Sequence, residues 1–111
     1  MAGRKRTYNV YVIELNRDVL KHNKFVRANP DMRADKPCVY VGSTYLAPEV
    51  RYEQHLAGHR SNRYVRKYAI KLKRRLYRNL QGFETRELAE AAEAWRAASL
   101  RKKGYAVWVG V

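Results

Sequence analysis

Two short apolar runs stand out along a chain that is otherwise polar. Residues 8–15 (YNVYVIEL) and 38–42 (CVYVG) are rich in β-branched and aromatic side chains, which favour β-strands. Neither run alternates strictly between apolar and polar positions, so both strands are predicted to be buried on two faces. Residues 105–109 predict a last strand. The polar segment between the first two strands, residues 16–37, predicts only a short helix over 18–28.

The middle of the chain predicts two helices. Pro48 suits the first turn of a helix that extends to about residue 57, where a glycine follows. Ser61 or Asn62 can cap a second helix over residues 64–70. Residues 74–80 (RRLYRNL) are compatible with either a helix or a strand, so the local pattern does not decide their structure.

The clearest helix follows Thr85, a residue type that caps helix N-termini. Its sequence, TRELAEAAEAWRAASLRKK, has Glu87 in the first turn and Lys102 and Lys103 in the last. Both placements complement the helix dipole. Gly104 is typical of a C-terminal stop.

The chain has 111 residues, of which 46% are apolar. This length predicts a single globular domain over residues 1–111 with one modest core. Cys38 is the only cysteine, which excludes an internal disulfide and a cysteine-based zinc cluster. The three histidines, His22, His55 and His59, do not have a familiar metal-ligand spacing.

Charge is the unusual property of the composition. Twenty-four Lys and Arg face ten Asp and Glu, giving a net charge of +14. Such an excess repels itself unless a polyanion neutralises it, so nucleic acid is the expected partner. A membrane surface is the weaker alternative, because no long amphipathic helix pairs a basic face with a broad apolar one. No secretory signal or membrane span is recognised, and a cytoplasmic setting is expected.

The basic residues are concentrated between positions 51 and 78, where ten Lys or Arg accompany a single acid, Glu53. Tyrosines are interleaved with them, as in surfaces that contact nucleic acid. We expect the phosphate backbone to lie here, and the basic residues 1–7 to act as an arm that adds nonspecific affinity. The predicted contact residues are Arg60, Arg63, Tyr64, Arg66, Lys67, Lys71, Lys73, Arg74 and Arg75.

The candidate chemistry lies in residues 39–44 (VYVGST). They are preceded by a similar run at 10–12 (VYV), and Arg51 and His55 follow Gly42 at intervals of nine and four residues. This order of two tyrosine-bearing strands and then R-x-x-x-H on a helix resembles the GIY-YIG nuclease family. The resemblance spans residues 8–107. It extends to an acidic residue on a later helix, for which Glu93 is the candidate.

The resemblance implies an α/β (α+β) fold, with a small central three-stranded antiparallel sheet flanked by helices and residues 74–80 as the third strand. It implies a DNA endonuclease that uses one Mg²⁺ or Mn²⁺ ion held by Glu93. The implied catalytic residues are Tyr11, Tyr40, Arg51, His55 and Glu93.

Three departures from the family pattern are visible. Val10 stands where the family has its first glycine, and Ala106 stands where an asparagine often follows the last tyrosine. Between Val12 and Tyr40 lie 27 residues where the family more often has about ten, so residues 16–37 are interpreted as an insertion.

The same residues suit phosphodiester hydrolysis on chemical grounds. The reaction needs an activated water and neutralisation of the charge that grows on the phosphoryl oxygens. Arg51 offers a planar, permanently charged fork that matches a phosphate. Tyr11 and Tyr40 could orient the water, and one could accept its proton if Arg51 or the metal lowers its pKa. His55, one turn from Arg51, could relay protons or bind phosphate.

Two acidic residues compete for the metal. Glu93 has Ala89, Ala97 and Leu100 on its side of the helix, a surface that can press against a sheet. Trp95 and Leu88 define a competing apolar face that would turn Glu93 outward. Glu93 is favoured over Glu90.

Each residue taken alone is more often structural: a packed tyrosine, a solvated arginine or an exposed helix carboxylate. Their combined order favours catalysis. The alternatives are a basic module that binds nucleic acid without catalysis and a nuclease directed at RNA. A structural or ribosome-associated protein is suggested by composition only. One active site cuts one strand, so double-strand cleavage would require a dimer or repeated nicking.

Overall fold

Four β-strands form one mixed sheet in the computed structural model, which describes residues 6–110. The strands are β1 (Asn9–Leu15), β2 (Cys38–Thr44), β3 (Ala69–Leu72) and β4 (Ala106–Val109). Their order across the sheet is β3-β1-β2-β4. Strand β1 is antiparallel to both β2 and β3, and β4 is parallel to β2.

The expected α+β class is correct, but the expected sheet of three antiparallel strands is not. A fourth strand is present because the chain returns through its longest helix, a crossover of the length that parallel pairing requires. Strand β4 therefore lies beside β2 and parallel to it, whereas two strands joined by a hairpin would be antiparallel.

Four α-helices surround the sheet within residues 6–110: α1 (Asn23–Arg27), α2 (Pro48–Leu56), α3 (Arg63–Tyr68) and α4 (Arg86–Lys102). The predicted caps are confirmed. The Asn62 side chain accepts from the Tyr64 and Val65 amides of α3, and the Thr85 side chain accepts from the Leu88 amide at 3.1 Å. Gly104 has a φ of 94°, a left-handed conformation that ends α4.

The prediction for residues 74–80 as the third strand is wrong. The third strand is β3, which takes residues 69 and 70 from the end of the helix expected over 64–70. Residues Arg74–Leu76 form a turn of 3-10 helix. The amide of Lys73 bonds to Val12, and the carbonyl of Leu80 bonds to Val10. The chain therefore leaves β1 after residue 73 and returns to it at residue 80.

The segment 16–37 is built into the core. It contains a 3-10 turn (Arg17–Lys21) and α1, in place of the single short helix expected over 18–28. Val19 and Phe25 are fully buried. The buried Asn29 side chain accepts from the Val107 amide at 2.7 Å and donates to the Val107 carbonyl at 3.0 Å. The segment is thereby fixed to β4.

Both faces of the sheet are covered by helices. Val10 and Tyr11 are neighbours in β1, so their side chains point to opposite faces, and both are buried. This agrees with the prediction that the first two strands are buried on both faces. Helix α4 packs against β4, β2 and β1, whereas α2 and α3 pack against β1 and β3.

Candidate active site

Four of the five predicted catalytic side chains line one cleft of about 300 Å³. Tyr11 comes from β1, Tyr40 from β2, Arg51 from α2 and Glu93 from α4. The cleft therefore draws its chemistry from four elements that are distant in the sequence. Its other polar lining residues are Tyr8, Ser43, Thr44, Tyr45, Gln54, His59, Arg60, Arg86 and Glu90.

Gly42 provides the space that Tyr11 occupies. The two residues are paired across β1 and β2. A Cβ atom added at Gly42 would lie 2.6 Å from the Tyr11 hydroxyl oxygen and 2.7 Å from Cζ. These distances are far below van der Waals contact, so a glycine at this position is required for the tyrosine to lie flat across its neighbour.

Gly110 has the same relationship to Tyr40, and the sequence analysis did not identify it. A Cβ atom added there would overlap the Tyr40 hydroxyl oxygen and lie 3.1 Å from Cζ. The signal that was available is a glycine directly after the last apolar run. Both tyrosine hydroxyls are thus accommodated by the absence of a neighbouring side chain.

His55 lies behind Tyr11 and does not line the cleft. Its ring is fully buried, and its Nε2 atom is 2.8 Å from the Tyr11 hydroxyl oxygen. The Asn62 amide donates to His55 Nδ1 at 3.4 Å. Because Nδ1 accepts, the proton of the neutral ring is on Nε2 and is donated to Tyr11. A ring in this place is not exposed to bind phosphate, so only the proton-relay part of its predicted role is compatible with the geometry.

The pKa values of this pair favour their neutral forms. Burial, with a smaller contribution from the Arg51 charge, lowers the pKa of His55 from 6.5 to about 4. Burial raises the pKa of Tyr11 above its ordinary value of 10, and the nearby Tyr40 raises it further. Arg51 lowers the Tyr11 pKa, as the sequence analysis expected, but by less than burial raises it. Arg51 alone does not make Tyr11 a base.

Arg51 is held against the turn that follows α2. Its guanidinium donates to the carbonyl oxygens of His59 at 3.0 Å and Arg60 at 2.9 Å, and to the Gln54 side chain at 3.2 Å. Arg60 adopts a φ of 46°, uncommon for a residue with a side chain, and this conformation presents its carbonyl to Arg51. The charged group is therefore fixed at the wall of the cleft before any ligand arrives.

Glu93 points inward, on the side of α4 that also carries the buried Ala89, Ala97 and Leu100. The competing apolar face is the exposed one, since Trp95 is 59% exposed. Burial raises the pKa of Tyr40, and the charge of Glu93 contributes to the same increase. Glu93 is thus close enough to Tyr40 for their charges to interact.

The donor atoms in the cleft fit a hard divalent cation. Glu93 and the half-buried Glu90 supply carboxylates, and the tyrosines supply hydroxyl oxygens. Mg²⁺ is usually held by one or two carboxylates, with waters and substrate phosphates as its other ligands. Over residues 6–110 there is no group of three or more His, Cys, Asp or Glu side chains arranged around a metal position. Glu93 and Glu90 are the carboxylates of the cleft that could hold such an ion.

The predicted nucleic-acid surface has exposed cations from α3, β3 and the loops beside them. Lys73 pairs with Glu14 at 3.6 Å, and Arg74 pairs with Glu49 at 3.0 Å. The exposed cations that form no ion pair with a described residue are Arg60, Arg63, Arg66, Lys67, Lys71, Arg75 and Arg78.

Tyr64 is not part of that surface. It is 1% exposed and packs against Phe25 and Trp108, with ring centroids 5.4 and 4.9 Å away. Tyr77 is buried as well. Tyr64 and Tyr77 therefore belong to the core and not to the cationic surface. The surface beside the cleft is cationic and has no exposed tyrosine from α3.

The basic arm predicted over residues 1–7 lies mostly outside the described part of the chain. Arg6 is described, and its guanidinium lies 4.3 Å from the centre of the Tyr45 ring, at the mouth of the cleft.

No helix within residues 6–110 combines the length and apolar character needed to cross a membrane. In comparisons with known proteins, the chain matches no family model, no curated protein and no solved structure.

Proposed function

We propose that this chain is a metal-dependent endonuclease of the GIY-YIG type, which hydrolyses DNA phosphodiester bonds in a cytoplasmic setting. The observation that carries the proposal is the convergence of Tyr11, Tyr40, Arg51 and Glu93 on one cleft, with His55 bonded to Tyr11 from behind. These residues were selected from the sequence through its resemblance to that family, and they come from four elements that are distant in the chain.

The cleft has the parts that hydrolysis of a phosphodiester requires. Arg51 is a fixed positive charge at the wall, suited to the charge that grows on the phosphoryl oxygens. Tyr11 and Tyr40 line the same cleft, and their hydroxyls can orient an attacking water. His55 positions Tyr11 by donating to its oxygen, and the same bond would stabilise a tyrosinate at Tyr11.

Glu93, with Glu90 beside it in the cleft, is the residue that would hold a Mg²⁺ or Mn²⁺ ion. When bound, such an ion supplies positive charge that polarises phosphoryl oxygens and lowers the pKa of neighbouring oxygen acids. Without it, burial keeps Tyr11 and Tyr40 protonated at neutral pH, because burial is the largest influence on the pKa of each.

Duplex DNA is the substrate we favour. The net charge of +14 supplies the attraction to phosphates. Arg60 belongs both to the cleft lining and to the exposed cations, so the backbone-binding surface reaches the proposed active site. RNA carries the same phosphate chemistry, and the two substrates are separated by experiment.

The test is to incubate supercoiled plasmid with the protein in Mg²⁺, in Mn²⁺ and in EDTA, with a labelled RNA of equal length assayed in parallel. We expect nicked and linear plasmid with either metal, none in EDTA, and little cleavage of the RNA. Glu93→Gln is the matched control, since it changes a carboxylate to an amide of the same shape.

Three results would contradict the proposal. Cleavage that persists in EDTA would exclude the metal-dependent mechanism. Preferential cleavage of RNA would mean that RNA, and not DNA, is the substrate. Salt-sensitive DNA binding with no cleavage in any metal would define the protein as a basic binding module.

A further inference from the structure

Helix α4 presents an apolar stripe to the outside, on the side opposite Glu93. Leu88 and Trp95 are 53% and 59% exposed, and Ala91 and Ala98 are exposed on the same face. These four residues and Lys102 follow each other at intervals of three, four, three and four. That spacing forms a straight seam along a helix, as in helices that pair with another helix.

The charges at the two ends of α4 are opposite. Glu84 and Glu87 are exposed at its first end, where Arg86, Glu90 and Glu93 line the cleft instead, and Lys102 and Lys103 are exposed at its last end. Among the ion pairs formed within residues 6–110, none involves Glu84, Glu87, Lys102 or Lys103. The outward face therefore has an acidic first end, an apolar centre and a basic last end.

We propose that a second copy of this chain docks on this face, with the two α4 helices antiparallel about a two-fold axis near residue 93. In this register Leu88 lies opposite Ala98 of the second copy, and Ala91 lies opposite Trp95. Each large side chain therefore meets a small one. The acidic end of each helix meets the basic end of the other, so Glu84, which lies two residues before α4, comes near Lys102 of the second copy.

Self-association is favoured over other occupants by the charge of the face. The chain carries +14 overall, so two copies repel one another across most of their surfaces. The outward side at the start of α4 is the exception, because it carries Glu84 and Glu87 while Arg86 lines the cleft. A polyanion is repelled there, which disfavours nucleic acid as the occupant. A two-fold axis also lets one acidic end and one basic end form two equal sets of contacts.

One helix pair buries a small area, so we expect a weak dimer with a Kd of roughly 10–100 µM. The experiment is sedimentation velocity of the full chain between roughly 1 and 500 µM. Trp95→Lys should raise the dimer Kd by at least about 30-fold, because a central tryptophan is the residue type that dominates such contacts. Ala91→Arg is the second variant, at the position that faces the tryptophan.

The charged ends provide a test that a change in folding would not reproduce. Glu84→Lys and Lys102→Glu should each weaken the dimer, and the double variant should restore it, because both partners of each pair are then exchanged. Ile70→Lys is the matched control. Ile70 is 49% exposed on β3, which is the edge strand farthest from β4, and the variant should leave the dimer unchanged.

The alternatives are distinguishable. A protein that remains monomeric at 500 µM overturns the proposal. So does a dimer that is insensitive to both Trp95→Lys and Ala91→Arg, or one that is lost in Ile70→Lys, which would assign the interface to β3. Far-UV circular dichroism of each variant establishes that the fold is retained. The outcome does not depend on whether the cleft cuts DNA.

Discussion

The Tyr11 hydroxyl and the His55 ring form a buried hydrogen bond of 2.8 Å, although 44 residues separate them in the chain. The Asn62 amide fixes the direction of this bond by donating to the other ring nitrogen of His55. Tyr11 is therefore an acceptor toward His55, and its own hydroxyl hydrogen is directed elsewhere. This leaves Tyr11 available to donate toward the cleft that it lines.

Removing either tyrosine hydroxyl should reduce cleavage without abolishing DNA binding. We expect Tyr11→Phe and Tyr40→Phe each to slow plasmid cleavage by roughly 10²-fold or more, because a hydroxyl that orients water or transfers a proton is lost. Tyr11→Phe should also cost about 1–3 kcal/mol of stability, since it leaves the buried His55 Nε2–H without its acceptor. Single-turnover cleavage and denaturant unfolding measure the two effects. Wild-type cleavage rates in both variants would mean that the tyrosines have only a packing role.

Gly110→Ala should disturb the protein through Tyr40. The added methyl would overlap the Tyr40 hydroxyl oxygen, so we expect a loss of about 1–3 kcal/mol in the free energy of unfolding. In a Tyr40→Phe background the nearest ring atom is Cζ at 3.1 Å, and the same alanine should cost clearly less. A double-mutant cycle in urea measures the difference. Additive effects would show that Gly110 does not make room for Tyr40.

The free energy of unfolding should decrease as the pH is lowered, over a pH range set by the pKa of His55. Burial and the Arg51 charge lower the His55 pKa from 6.5 to about 4, so the ring is neutral in the folded protein at pH values where the unfolded chain binds a proton. The unfolded state then binds more protons between pH 4 and 6.5, and the free energy of unfolding decreases as the pH falls through that range. The contribution is on the order of 3 kcal/mol at about 1.4 kcal/mol per pKa unit. It is fully present above pH 6.5.

A His55→Gln variant isolates this contribution, because the carboxylates that titrate at low pH remain in both proteins. Urea unfolding of the two proteins at several pH values should show a shallower loss of stability for the variant between pH 4 and 6.5. Parallel curves through that range would mean that the His55 pKa is close to its ordinary value.

Glu93→Gln should abolish cleavage and leave DNA binding unchanged, whereas Glu90→Gln should have little effect. Glu93 is buried on the inward side of α4, and Glu90 is only half-buried at the rim of the cleft. Plasmid nicking over a range of Mg²⁺ concentrations measures both variants. A large defect in Glu90→Gln with none in Glu93→Gln would place the metal one turn earlier on the helix.

Replacing unpaired surface cations should change the salt dependence of binding more than replacing paired ones. Arg66→Ala with Lys67→Ala should flatten the log–log slope by up to about 0.9 for each phosphate that the protein no longer neutralises. Lys73→Ala with Arg74→Ala should flatten it less, because Glu14 and Glu49 already neutralise those charges. Fluorescence anisotropy of a labelled duplex at several salt concentrations measures each slope. Equal slopes in all proteins would place the phosphate backbone elsewhere.

The sequence predicted the elements whose signal is local. Strands β1 and β2 follow from runs of β-branched and aromatic residues, and α4 follows from its cap, its charges and Gly104. The partner of each strand could not be predicted in the same way, because pairing depends on contacts across the whole chain. For that reason the predicted last strand was not placed in the sheet: its parallel pairing with β2 was missed, and residues 74–80 were wrongly assigned as the third strand.

For the site, the sequence predicted which residues to consider, and the pairing of β1 with β2 decided how they meet. The placement of Tyr11 over Gly42 depends on a register that no single segment specifies. Hydrophobicity alone would have turned Trp95 inward, but small residues at 89 and 97 let α4 approach the sheet closely, and the tryptophan lies outside. The burial of Tyr64 was missed because tyrosine is common both in cores and on nucleic-acid surfaces.

The Asn29 side chain completes β4 in the way a neighbouring strand would, because its amide both donates to and accepts from the backbone of Val107. Strands with open hydrogen-bonding groups recruit strands from other molecules, and such recruitment leads to aggregation. Residues 16–37 thus cover the outer edge of β4 at Val107, where another strand could otherwise add to the sheet. Shortening the segment to the length of a simple hairpin loop would expose β4, and we expect insoluble protein to result rather than a smaller version of the same fold.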